Sequence, residues 1–212
     1  MLTEFVANAF AMLFVTIDPI GLAPLYLAIT AGASAAQKRS IAIKSVGLSA
    51  FLLIVFIFAG SSVLSVMGIS QPAFRVAGGL LLFIIAVEMV FELRQKRKAE
   101  SAEKVADTHD LSHVAVFPLA IPLISGPASI SAVILLEQQA DGMTGLLALV
   151  AVLFLVLLSV FVMFLAASKL ERILGPTAQM IITRLFGVLL AALSVQFVAD
   201  GIFQLIEMQP AS

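Results

Sequence analysis

Asp18 stands alone among apolar residues, in the run Met12-Leu13-Phe14-Val15-Thr16-Ile17-Asp18-Pro19-Ile20-Gly21-Leu22. An ionised carboxylate in the middle of a membrane span costs at least about 2.5–3.5 kcal/mol, so it must be paired, protonated or wetted. Proline suits the first position of a helix, and aspartate is a favoured N-cap. Asp18 can therefore cap a half-helix that starts at Pro19 and runs on through Ile20 and Gly21. In the other half of the chain, Ser125 or Gly126 can cap a half-helix that starts at Pro127, followed by Ala128 and Ser129. Two such ends converging near the bilayer midplane would each present free N–H groups and a partial positive charge. That chemistry suits the carboxylate of a small substrate. Asp18, being negative, would instead face a substrate ammonium or take up a proton during coupling. The bland reading is that it only caps a structural break. Asn8 and Thr16, on the same segment, could line the same path or bond a neighbouring helix.

Arg75 and Arg184 occupy matching places, in Arg75-Val76-Ala77-Gly78-Gly79-Leu80-Leu81 and Arg184-Leu185-Phe186-Gly187-Val188-Leu189-Leu190. An arginine at depth needs a carboxylate, a backbone carbonyl or a lipid phosphate. Phosphate anchoring is the expectation for Arg75. Arg184, expected to be buried, reads as a gate or a structural pair, with Asp18 one conceivable partner. Gln196 is a further polar group that could contact substrate. Glu88 and Glu92 lie four apart and read as interfacial. Glu137, Asp141, Asp200 and Glu207 are expected to meet water at the opposite face. Ser45, Ser49 and Ser194 read as packing or inter-helix hydrogen bonds. His109 and His113 fall in a polar linker, not in a metal-like cluster. Neither a phosphate-binding Walker sequence nor a serine nucleophile elbow is present. No enzyme, metal or cofactor is expected, beyond a coupled proton.

The elements that must hold these residues are membrane helices. The chain has 212 residues, 61% hydrophobic and 12% charged, where soluble proteins carry roughly a quarter charged. The net charge of −1 argues against a nucleic-acid partner, and the lack of cysteine excludes disulfides and thiol metal sites. Without tryptophan and with a single tyrosine, the interfacial aromatic belt is thin, and Lys and Arg must do more of the anchoring. The N-terminus lacks the basic segment of a signal peptide, so the first apolar stretch is expected to be retained.

A span needs about 20 mostly apolar residues. Six candidates occur, near 5–30, 40–66, 72–93, 114–138, 143–168 and 177–206. Five of the eight prolines fall in the first and fourth: Pro19, Pro24, Pro118, Pro122 and Pro127. Proline frees backbone groups that lipid cannot satisfy, so these two spans are expected to be central. The chain also says nearly the same thing twice. Asp18-Pro19-Ile20-Gly21 is answered 108 positions on (18 to 126) by Gly126-Pro127-Ala128-Ser129, Arg75 by Arg184 at 109 (75 to 184), and Gly68 by Gly175 at 107 (68 to 175). Residues 1–93 form one three-helix repeat, 94–113 a charged polar linker, and 114–212 a second repeat. Three spans per repeat is an odd number, so the second is inverted. Eleven of the twelve cations lie on one side, with Arg75 alone on the other. The positive-inside rule makes the cation-rich side cytoplasmic and puts both termini outside.

The segments Asp18-Pro19-Ile20-Gly21-x-x-Pro24 and Pro118-Leu119-Ala120-Ile121-Pro122-Leu123-Ile124-Ser125-Gly126-Pro127 together resemble the MarC family, six-span bacterial inner-membrane proteins of the wider lysine-exporter superfamily. The resemblance covers nearly the whole chain, including the linker and the Asp200-Gly201 end. It implies that the Asp18 and Gly126 segments are central broken helices. It also implies transport of small neutral amino acids such as glycine and alanine. Many relatives show Gly-Pro-Gly where this chain has Gly126-Pro127-Ala128, and the extra methyl narrows the approach there. The expectation is an all-α, six-span secondary transporter in the bacterial inner membrane, with a midplane site between two broken helices. The alternatives are an exporter of drugs or other toxic compounds, which would need a larger apolar cavity, and a non-transporting membrane scaffold. Oligomeric state is not readable.

Overall fold

The computed structural model describes residues 2–93 and 115–208; the linker expected at 94–113 lies outside them. The described residues are helical almost throughout: α1 (Leu2–Ile17), α2 (Pro19–Ile29), α3 (Ala35–Val66), α4 (Gln71–Val90), α5 (Ala115–Ile124), α6 (Pro127–Gln139) and α7 (Gly142–Glu207). Among the described residues, five segments are long and apolar enough to cross a membrane: Leu2–Ile29, Ala35–Val66, Gln71–Val90, Gly142–Ser168 and Thr177–Glu207. The last two are the arms of α7, which breaks at Gly175 with φ 59° and ψ 166°. Glycine is the one residue that takes such a φ at no steric cost. Gly68, between α3 and α4, has φ +71°.

Polar caps start the helices where the sequence supplies them. At α3 the Ser34 hydroxyl accepts from the Gln37 N–H (3.3 Å) while the Gln37 side chain accepts from the Ser34 N–H (2.8 Å), a reciprocal capping box. Ser70 accepts from the Ala73 N–H (3.3 Å) at the start of α4.

Of the five spans, the first is the central one. In its most apolar window 72% of residues are buried, against 28–33% in the other four. The expectation that proline-broken spans sit centrally therefore holds for α1 and α2. It holds for α6 as well, which buries every residue from Ser131 to Leu136. It fails for α5, where Val116 is 48% and Ile121 41% exposed. That helix packs chiefly on α3, so its far side is left open. The fourth candidate span is accordingly two dissimilar pieces rather than one apolar rod.

α4 lies against the second arm of α7 in antiparallel register. A Cβ on Gly201 would touch Val76 and the Pro72 carbonyl, one on Gly79 would touch Val198 and the Ser194 carbonyl, and one on Gly187 would touch Met89 and the Ala86 carbonyl. Small residues let two backbones approach this closely, which is how membrane helices gain packing without a hydrophobic driving force. α2 packs on α7, where Tyr26 stacks on Phe164 with ring centroids 4.3 Å apart. The Tyr26 hydroxyl donates to the Lys38 carbonyl (2.7 Å), giving the buried phenol the partner it needs.

Candidate functional site

The first break is a single residue wide. Asp18, 2% exposed, adopts left-handed φ 62° and ψ 64° between α1 and α2. Aspartate is one of the few non-glycine residues that visit this region. Its N–H donates to the Phe14 carbonyl (2.9 Å) and its own carbonyl accepts from the Leu22 N–H (3.0 Å), so helical bonding continues on both sides. One carboxylate oxygen, Oδ1, accepts from the Gly21 N–H at 3.0 Å. The cap expected from Asp-Pro is thus formed. Thr16 is fully buried beside it, Pro19 and Gly21 are buried, and Ile20 is half-buried.

The second break is built differently. Ser125 donates its N–H to the Ala120 carbonyl (2.9 Å), five residues back. This i→i+5 bond ends a π-helical α5, a wider turn often found at functional sites. Gly126 is the N-cap of α6, with extended φ −75° and ψ 174°, and no side chain caps the helix. Sequence allowed Ser125 or Gly126 as the cap; the backbone assigns it to Gly126. Ser125 Oγ turns instead to the Ser49 carbonyl on α3 (3.4 Å). A Cβ on Gly126 would collide with the Pro122 carbonyl oxygen, so close approach fixes glycine there. Ala128, Ser129 and Ser131 are buried, while Pro127 is exposed.

Ser49 Oγ donates to the Ser45 carbonyl (2.8 Å) and Ser194 Oγ to the Ala191 carbonyl (2.8 Å). Their hydroxyls are therefore satisfied within their own helices.

Arg184 forms a pair, one of its two readings from sequence, but with a different partner and at a more exposed place. Its side chain is 52% exposed and pairs with Glu92, itself 29% exposed, at 2.5 Å. Neither burial nor a partnership with Asp18 describes it. The reason lies in the packing: Gly187, one turn on, faces Met89 and Val90 of α4, which swings Arg184 to the end of that helix. Glu137, expected to meet water, is half-buried and accepts from the Ser61 hydroxyl.

Asn8, Arg75, Gln139, Gln196 and Asp200 come together around a cavity of about 180 Å³, walled on its apolar side by Leu193 and Phe197. They come from four helices. Gln196 Nε2 donates to Asp200 Oδ1 at 2.7 Å. Asn8, read from sequence as a residue of the Asp18 path, and Gln196, read as a substrate contact, thus share a second polar group. Gln139 was not singled out from sequence, because an amide at a helix end carries no signal of its own.

Residues 3–206 match the family model described as MarC family integral membrane protein. The chain belongs to the MarC family. It is 36% identical to a UPF0056 membrane protein of Aquifex aeolicus over 94% of this chain and 93% of that one. It is 30% identical to the UPF0056 membrane protein YvbG of Bacillus subtilis, over 95% and 96% of the two chains. YhcE of Escherichia coli, another UPF0056 membrane protein, is 32% identical over 91% and 89%. The names of these MarC relatives state a membrane protein and no substrate. No solved structure matches the chain significantly.

Proposed function

We propose that this MarC protein is a secondary transporter of small neutral amino acids of the glycine and alanine kind, and not an enzyme. The observation that carries the reading is Asp18: a buried carboxylate at a left-handed helix junction, inside the most buried of the described spans. A functional acid inside a membrane is the default reading of such a residue. A proton is the proposed coupling ion, since Asp18 can carry one and still cap α2 through its other oxygen. The Ser125–Ser129 break supplies a second half-helix N-terminus, at Pro127, for the substrate carboxylate.

The architecture proposed for this activity counts α5 and α6 together as a sixth span. Residues 1–93 and 114–212 then form two inverted three-helix repeats joined by 94–113. Several observations support it. The two matched arginine helices, α4 and the second arm of α7, run antiparallel. Met89 meets Gly187 as Val198 meets Gly79, which is the 109-residue step of the sequence repeat to within one residue. Gly68 and Gly175 both have positive φ. Alternating access would rock one repeat against the other about the midplane. The plasma membrane of a bacterium is the proposed location, with the cation-rich face cytoplasmic and both termini outside.

The test is uptake of labelled glycine and alanine into proteoliposomes, with and without an inward proton gradient. Gradient-dependent accumulation is expected. No accumulation by folded, inserted protein removes the amino-acid reading and leaves drug export or a scaffold role.

A further inference from the structure

The cavity beside Arg75 is separate from both helix breaks, and the proposed transport mechanism makes no use of it. It holds opposite charges that do not neutralise each other. Among the described residues, Arg75 forms no ion pair with Asp200, although both line the cavity. Arg75 Nε is buried with no hydrogen-bond partner. A buried guanidinium N–H left unmade is costly, and it marks Arg75 as a cation whose hydrogen-bonding capacity the protein has not filled. Asp200 spends Oδ1 on Gln196, but a carboxylate has about four acceptor positions. The remaining polar lining is amide, from Asn8, Gln139 and Gln196, which can donate or accept. About 180 Å³ is well below the roughly 300–1,000 Å³ of pockets for drug-sized ligands.

From this geometry we infer that the cavity is a binding site for a small zwitterion, with Arg75 taking its carboxylate and Asp200 its ammonium. A guanidinium suits a carboxylate because its N–H groups can meet both oxygens. The inference rests on the proposed function for the identity of the ligand, a small amino acid. It adds a second station, on the face where α1 begins and α7 ends, through which the ligand passes to or from the midplane. It also gives Arg75 a role other than anchoring to lipid phosphate.

The natural chain has no cysteine, so Gln139→Cys places one thiol in the cavity. A charged thiol reagent is applied to the purified full-length chain with L-alanine, alaninamide or N-acetylalanine as probes. Alanine is expected to slow modification, and neither single-charge analogue should match it. Arg75→Gln should raise the half-protecting alanine concentration about tenfold or more, the effect of one lost charge-assisted contact. Arg75→Lys should recover part of it. If Arg75→Gln does not fold, Asp200→Asn reads the same site from the ammonium side. Asp18→Asn should leave protection unchanged. A thiol that does not react, protection by all three probes alike, or protection indifferent to Arg75 and Asp200 overturns the inference. Uptake in proteoliposomes without protection would sink this site alone. Protection without uptake would sink the transport reading and leave the site standing.

Discussion

Asp18 serves two structural needs with one side chain. Its left-handed backbone is tolerated by Asp and Asn but strained for Ala, and its Oδ1 satisfies the Gly21 N–H. Asn keeps both features and removes only the charge. Asp18→Asn is therefore expected to fold and melt like the natural protein. It should lose gradient-driven accumulation while retaining exchange of labelled for unlabelled alanine. Normal accumulation by this variant would end the case for Asp18 as the proton carrier. Asp18→Ala loses the cap as well, at about 0.5–2 kcal/mol, and should melt lower than the Asn variant. At the second break the constraint is steric. Gly126→Ala drives a methyl into the Pro122 carbonyl and should cost about 1–3 kcal/mol, as overpacking does. Ala128→Gly should cost only about 1 kcal/mol, a helix-propensity effect. Thermal melts of the two variants side by side check this, and equal losses would count against the close approach.

Between elements, the decisive contacts are made by glycine. The faces of α4 and of the second arm of α7 meet through Gly79, Gly187 and Gly201, each with backbone or Cβ neighbours that a side chain would strike. Gly47 of α3 has nothing within 4 Å of the place a Cβ would take. Gly187→Leu should therefore destabilise the protein by several-fold more than Gly47→Leu, which is expected to stay within about 0.5 kcal/mol of the parent. Melting in detergent measures both. A large loss from Gly47→Leu, or none from Gly187→Leu, would show that this helix pair is not packed as described. α5 belongs to the same scale: a proline-rich π-helical piece that leans on α3 and leaves Val116 and Ile121 exposed.

At the scale of the whole molecule, the proposed six-span count makes a topological claim. With α5 and α6 crossing together, the turn before α3 and the turn before α4 lie on opposite sides, and the turn before α7 shares the side of the second. The lack of native cysteine makes the claim easy to read. Ser34→Cys, Met67→Cys and Asp141→Cys all fall at exposed positions. An impermeant thiol reagent should reach Met67→Cys and Asp141→Cys from outside the cell, and Ser34→Cys only after permeabilisation. Labelling of Asp141→Cys together with Ser34→Cys would mean that α5 and α6 do not span. The count of five apolar spans would then be the whole number, and the inverted repeat would fall with it.

The chain's composition and apolar runs alone determined an all-helical membrane protein, because a bilayer leaves the backbone few other ways to satisfy its polar groups. The Asp18-Pro19 junction was legible for a local reason: capping and the proline ring act within one turn, so sequence spacing is enough. The start of α6 after Gly126 was legible for the same reason. Which residue capped it was not, since Ser125 turns away to Ser49, 76 positions distant. Partnerships across helices escaped sequence altogether. Arg184 reaches Glu92, and Asn8 and Gln196 share a cavity with Arg75. Helical periodicity says which residues share a face, but the rotation of each helix about its axis is set by what packs behind it. Here that setting came from the glycine contacts of α4 with α7, and only the tertiary structure decided it.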